Sequence, residues 1–168
     1  MQLKEQGLYS PTFEHDNCGA GFICNLKGEK SNEIIHKALD ILAKLEHRGA
    51  VSSDGRTGDG AGILFDIPDL FFRKVCDFAL PAVGDYAVGM VFLPSKENQA
   101  TYCQTKFEEY VVDQDLNVLG WRDVPVNSSV LGNIAQKNEP IIKQVFIARN
   151  EIEDKLLFKA NLFAARKL

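Results

Sequence analysis

Glu14-His15-Asp16-Asn17-Cys18-Gly19-Ala20-Gly21-Phe22-Ile23 carries the reading of this 168-residue chain. A polar, turn-like approach leads to a cysteine, and a run of small residues then opens into apolar sequence. The pattern predicts a strand over 19–25 with Cys18 at its mouth, near backbone amides and with little side-chain bulk around it. A thiol so placed is accessible, which a core cysteine is not. By residue type alone a lone cysteine packs more often than it reacts. The rest of the chain has to decide.

Upstream, residues 1–17 read as an irregular leader, punctuated by Gly7, Ser10-Pro11 and Asp16-Asn17. Downstream, Lys27-Gly28-Glu29 makes a turn and Ser31 or Asn32 serves as N-cap, with Glu33 in the first turn. Ile34, Ala38, Ile41, Leu42 and Leu45 recur at helical spacing and predict an amphipathic helix over 32–47. Gly49 would end it in the left-handed conformation of a C-cap. Residues 48–62 then hold five glycines. They do not form a phosphate loop: there is no GxxxxGK[ST], the glycine spacing is not GxGxxG, and an apolar strand-like run follows rather than a helix. Tight turns account for several of them.

Beyond that loop, Ile63 to Ile67 reads as a strand ended by Pro68. Asp69 would cap a helix carrying Leu70, Phe71, Phe72, Val75, Phe78 and Ala79. Tyr86 to Leu93 is a nearly continuous apolar run and predicts a buried strand. A helix from Pro94-Ser95 through Val111, a strand within Leu116 to Val126, an irregular stretch over 132–140, a strand ending at Ala148 and a helix from Asp154 follow. That last helix reaches Leu168 without a stop signal, so the natural protein is expected to continue. Elements of both kinds alternate, and pattern alone leaves α/β and α+β open.

The composition is that of a globular chain: 45% hydrophobic, 25% charged, formal net charge −4. With no basic runs, nucleic acid is not an expected partner. No apolar stretch approaches a membrane span, and residues 1–17 lack the apolar core of a secretory signal. The expectation is a cytoplasmic protein. Cys18, Cys24, Cys76 and Cys103 show no CxxC or zinc-ribbon spacing, and His15-x-x-Cys18 has no second ligand pair to complete a metal site. At the two ends of one strand, Cys18 and Cys24 would lie roughly 20 Å apart, too far to bridge. Cys24, Cys76 and Cys103 are expected to be buried small hydrophobes.

Three motifs together change the balance at Cys18. Tyr9-x-Pro11-x-x-Glu14-His15-Asp16-x-Cys18-Gly19-x-Gly21-Phe22 is followed by Leu45-Glu46-His47-Arg48-Gly49-Ala50 and by Thr57-Gly58-Asp59-Gly60-Ala61-Gly62-Ile63. Their combination resembles the class II glutamine amidotransferase domain that begins the large subunit of glutamate synthases. The resemblance implies an α+β fold, the four-layer αββα arrangement of N-terminal-nucleophile hydrolases, of which 18–168 would be the first part. It implies that residues 1–17 are a propeptide and that Cys18 becomes the N-terminal nucleophile. A free α-amine, titrating at about 7.7–8.0, then serves as the thiol's base. With Asn17 attached that nitrogen is an amide, so the chain from Met1 is expected to be inactive.

The resemblance further implies that Gly19, Arg48, Gly49 and Asp59 belong to the wall of the glutamine pocket, with Asp59 orienting its loop through backbone amides. His47 is not needed as a base and is expected to be structural. The partners implied are L-glutamine, synthase domains of the same polypeptide and, in some arrangements, a small reductase subunit. FMN and an iron–sulfur cluster are implied for the full-length protein, and no cofactor for residues 1–168. The family's Asn-Gly oxyanion motif and its glutamine clamp are absent: the chain contains no Asn-Gly dipeptide. Two other readings keep the motifs, a non-catalytic scaffold with the same fold and an amidotransferase serving another ammonia acceptor.

Overall fold

A computed structural model describes residues 19–58 and 60–167. They divide into two compact units, with the division between Phe65 and Asp66. The described residues are α+β, with an antiparallel sheet.

Among the described residues of the first unit the one α-helix is α1, Asn32–Lys44. Ile34, Ala38, Ile41, Leu42 and, at the C-cap, Leu45, the stripe read from the sequence, are half-buried, as is Ile35, and none is fully buried. Ser31 occupies the N-cap position without a side-chain bond to the helix, while Glu33 pairs with Lys37 one turn on at 2.6 Å. The helix stops earlier than its periodicity suggests. The Leu45 amide closes the last turn on the Ile41 and Leu42 carbonyls, and a 3-10 turn, Glu46–Arg48, follows. Gly49 is extended (φ −94°, ψ 163°) rather than left-handed, because that 3-10 turn has already ended the helix. The expected strands over 19–25 and 63–67 do not form either. Both segments lack a ladder partner among the described residues, and a strand without one leaves its amides and carbonyls to water.

The second unit supplies partners. Strands β1 (Tyr86–Leu93), β2 (Asn117–Asp123) and β3 (Ile141–Ala148) form a sheet in the order β1-β3-β2. β3 is antiparallel to both neighbours, so β1 and β2 run parallel, joined by helix α3 (Glu97–Val112), and β3 slots between them. One face packs under α3 and α5 (Lys155–Lys167) through Val111, Leu116, Val145, Ile147, Phe158 and Ala165. The other packs under α2 (Asp69–Val75), where Phe72, Phe78 and Tyr86 surround Phe146. A register shift between Val118 and Gly120 turns Leu119 to that second face. The Phe78 ring covers Gly120 so closely that a Cβ there would lie 2.5 Å from it.

That contact also explains why α2 ends at Val75, short of Ala79. Cys76 turns extended, which carries Phe78 back over the sheet. Asp69 does not act as the expected cap. Its carboxylate accepts from Arg73 Nε at 2.8 Å and from the Tyr86 hydroxyl at 2.9 Å. The stretch expected to be irregular contains the four-residue helix α4, Asn133–Gln136. The cysteines depart from expectation: Cys24 is exposed, and Cys76 and Cys103 are half-buried.

Candidate functional site

The chain after residue 18 lies against α1 of its own unit. A Cβ built on Gly19 would sit 3.2 Å from Leu45 Cδ2 and 3.3 Å from Arg48 Cβ; one on Gly21 would collide with Ile41 Cγ2. Both glycines are therefore approach residues, small so that backbone can rest on the helix. Sequence places Gly19 directly after Cys18, and the structure brings Gly19 to the Arg48 stem. Two of the candidate residues are thus together. Gly49 follows on the same turn, its amide donating to the Glu46 carbonyl at 3.1 Å. Cys18 and Asp59 lie outside the described residues.

His47 behaves as a helix-end residue. Its Nδ1 lies 2.9 Å from the Lys44 carbonyl, which can only accept, so Nδ1 carries the proton. The bond satisfies an orphan carbonyl of the last turn of α1.

The glycine-rich loop is shaped by a residue the sequence reading passed over. Asp54 Oδ1 accepts from the Arg56 and Thr57 amides at 3.1 and 2.8 Å, and Oδ2 accepts from the Thr57 hydroxyl at 2.6 Å. Ser52 and Thr57 close the loop at 2.7 Å, with a single antiparallel bridge between Val51 and Gly58. Gly55 turns the corner at φ +67°, a conformation that favours glycine. Over the described part of this loop, Asp54 orients the backbone through these bonds. The clue was the Asp54-Gly55 pair, a turn former in its own right.

In the second unit burial shifts two titratable groups, Tyr86 and Cys76. Burial, then the hydrogen bond to Asp69, pushes the Tyr86 phenol up to about 12. Burial also pushes the Cys76 thiol up, against the lowering effect of Arg122. Among the described residues no group of three or more His, Cys, Asp or Glu could hold a metal ion. No described helix is long and apolar enough to cross a membrane.

Residues 18–168 match the family described as glutamine amidotransferases class-II. The chain is 45% identical over 166 residues to the glutamate synthase (NADPH) large chain of Bacillus subtilis, covering 98% of this chain and 11% of that protein. It is 47% identical over 148 residues to the glutamate synthase (NADH) of Saccharomyces cerevisiae, covering 83% of this chain and 7% of that one. To the ferredoxin-dependent glutamate synthase 2 of Synechocystis it is 38% identical over 164 residues, with 92% and 10% covered. The chain therefore spans about a tenth of the length of these relatives.

Proposed function

The chain belongs to the class II glutamine amidotransferases, and on that premise we propose that it is the glutaminase part of a glutamate synthase, releasing ammonia from L-glutamine at Cys18. The observation that carries the reading is where the family match begins, on Cys18 itself. Residues 1–17 are then a propeptide. Their removal gives Cys18 a free α-amine to take the thiol proton.

The thiolate attacks the side-chain amide carbon of glutamine. A C–S bond forms and the carbonyl becomes a tetrahedral oxyanion. Collapse breaks the C–N bond, and ammonia leaves with the proton held by the amine. Water then attacks the thioester, giving glutamate and restoring the thiol. Donors preorganised around the oxyanion are worth about 3–4 kcal/mol in reactions of this type. In this reading they come from outside residues 1–168, and the 168-residue chain alone is inactive. Gly19 and Arg48, in contact, form part of the pocket wall with Gly49; Asp59 extends it. The domain takes the four-layer hydrolase arrangement. Ammonia passes to synthase domains that bind FMN and an iron–sulfur cluster and reduce 2-oxoglutarate, in a cytoplasmic enzyme, with a reductase subunit where the electron donor requires one. The names of the relatives carry three different donors.

The test uses the full-length protein from its own cells. Its intact mass should place the N-terminus at Cys18, and a diazoketone analogue of glutamine should label that residue. Cys18→Ala should lower glutaminase activity by about a thousandfold or more. A glutaminase-active enzyme still beginning at Met1 or Gln2 would sink the amine-base mechanism. A chain that binds glutamine without labelling would favour a scaffold.

A further inference from the structure

In the second unit, residues 76–85 connect α2 to β1 across one face of the sheet, and no helix or strand includes them. Both ends of the segment are hinges. Cys76 leaves α2 in an extended conformation, at φ −88° and ψ 142°. At the far end the Asp85 amide donates to the Ala82 carbonyl at 3.0 Å, around Gly84 at φ +93°, where glycine is favoured. Beyond that turn the chain is fixed. Tyr86 begins the ladder with β3, and Arg149 Nη2 holds the Asp85 carboxylate at 3.0 Å.

Between the hinges, side chains make the contact with the sheet. The Phe78 ring lies 5.2 Å from that of Phe146 and covers Gly120, and Leu80 joins the same cluster. The backbone there is held by one side chain of α2. Arg73 donates from Nη1 to the Leu80 carbonyl at 2.9 Å and from Nη2 to the Pro81 carbonyl, while its Nε is fixed on Asp69 at 2.8 Å. A guanidinium presents its donors as a planar fork, which suits two neighbouring carbonyls and a carboxylate together; an ammonium is a compact point charge and does not span all three. The Arg73 side chain is 38% exposed, so water competes for these bonds. Irregular backbone, held by exposed hydrogen bonds to a short helix, belongs at the low end of local stability.

We propose that residues 76–85 form a strap that lifts from the sheet as a unit while the sheet stays paired, with Arg73 as its clasp. Lifting takes the Phe78 ring off Gly120 and uncovers Phe146 together with the Cys76 thiol, which packs in the same cluster. The face under α2 thus has a closed and an open state, and the three bonds of one guanidinium set the balance between them. The strap involves no step of glutamine hydrolysis, so it stands or falls independently of the proposed function.

Two readouts on the full-length protein test this: the rate at which iodoacetamide alkylates Cys76, and hydrogen exchange of the β3 amides, both resolved by peptide mass spectrometry. Arg73→Lys keeps a cation beside Asp69 and loses the fork. It should speed Cys76 alkylation about tenfold or more, as expected for losing hydrogen bonds to a charged group, and leave β3 exchange unchanged. Ile147→Val, in the cluster on the opposite face of the sheet, should do the reverse, raising β3 exchange severalfold with the Cys76 rate unchanged. Equal acceleration of both readouts in either variant would show that the strap opens only with the sheet, and would overturn the assignment. A Cys76 rate untouched by Arg73→Lys would overturn it as well.

Discussion

Residues 19–65 and 66–167 contain the same kind of raw material and use it differently. Each has an amphipathic helix and apolar, strand-like runs. In the second region Tyr86–Leu93 pairs with Ile141–Ala148 along its whole length and encloses Phe146, Val145 and Val111 completely. In the first, Phe22 is 91% exposed, Leu64 is fully exposed, and no described residue is buried. Hydrophobic sequence supplies the driving force for burial, but a strand also needs a neighbour to take its amides and carbonyls. β1 and β2 have β3. The runs at 19–25 and 63–67 have no such neighbour among the described residues.

The comparison is broken most directly by truncating one aromatic in each region. Phe146 contacts the rings of Phe72, Phe78 and Tyr86 from the centre of the sheet. Phe146→Ala should cost about 3–5 kcal/mol in urea unfolding, through lost transfer energy and the cavity left behind. Phe22→Ala should stay within about 0.5 kcal/mol. Equal costs would mean that residues 19–65 hold a core of their own, and the contrast would fail.

The same physics sets what could be read from the sequence. β1, α3, β2, β3 and α5 were legible because each pairs a clear period with burial on that period, as in Val145 and Ile147 on one face and Phe146 on the other. The strands at 19–25 and 63–67 were over-read because periodicity reports an apolar face and carries no information about a partner. Gly49 was read as a left-handed cap from residue type, whereas the chain ends α1 with Leu45 and the ring of His47. Gly19 and Arg48 are singled out by resemblance alone; the structure packs them together, a contact that any backbone resting on α1 would make. Asp54 was missed because three hydrogen bonds from one carboxylate depend on a loop closing on itself.

A smaller effect sharpens the comparison at the thiols. Cys24 is exposed in the first region, while Cys76 packs beside Phe72 and Phe146 and burial pushes its thiol up. Thiolate is the reactive form, so both access and protonation disfavour Cys76. With iodoacetamide near neutral pH, peptide-resolved mass spectrometry should find Cys24 alkylated about tenfold or more faster. Comparable rates would mean that the second region opens at Cys76 as readily as the first lies open at Cys24.

The smallest effect concerns Tyr86, whose ring is buried and whose hydroxyl donates to Asp69 at 2.9 Å. Burial first, and the hydrogen bond second, raise its phenol from 10.0 to about 12. The folded chain therefore keeps this proton to higher pH than the unfolded chain. The stabilisation is complete below about pH 10 and is lost as pH rises through about 12. Tyr86→Phe should cost about 1 kcal/mol at neutral pH, the usual net value of one hydrogen bond. It should also remove the part of the alkaline decline that belongs to this group. Lysines titrate in the same range, so the informative quantity is the difference between the two chains' urea midpoints across that window. The gap should narrow as pH rises, because the native protein loses the bond that the variant never had. A constant gap would show that the unfolded phenol titrates no earlier than the folded one, and that the Asp69–Tyr86 pair does not couple the second region's stability to pH.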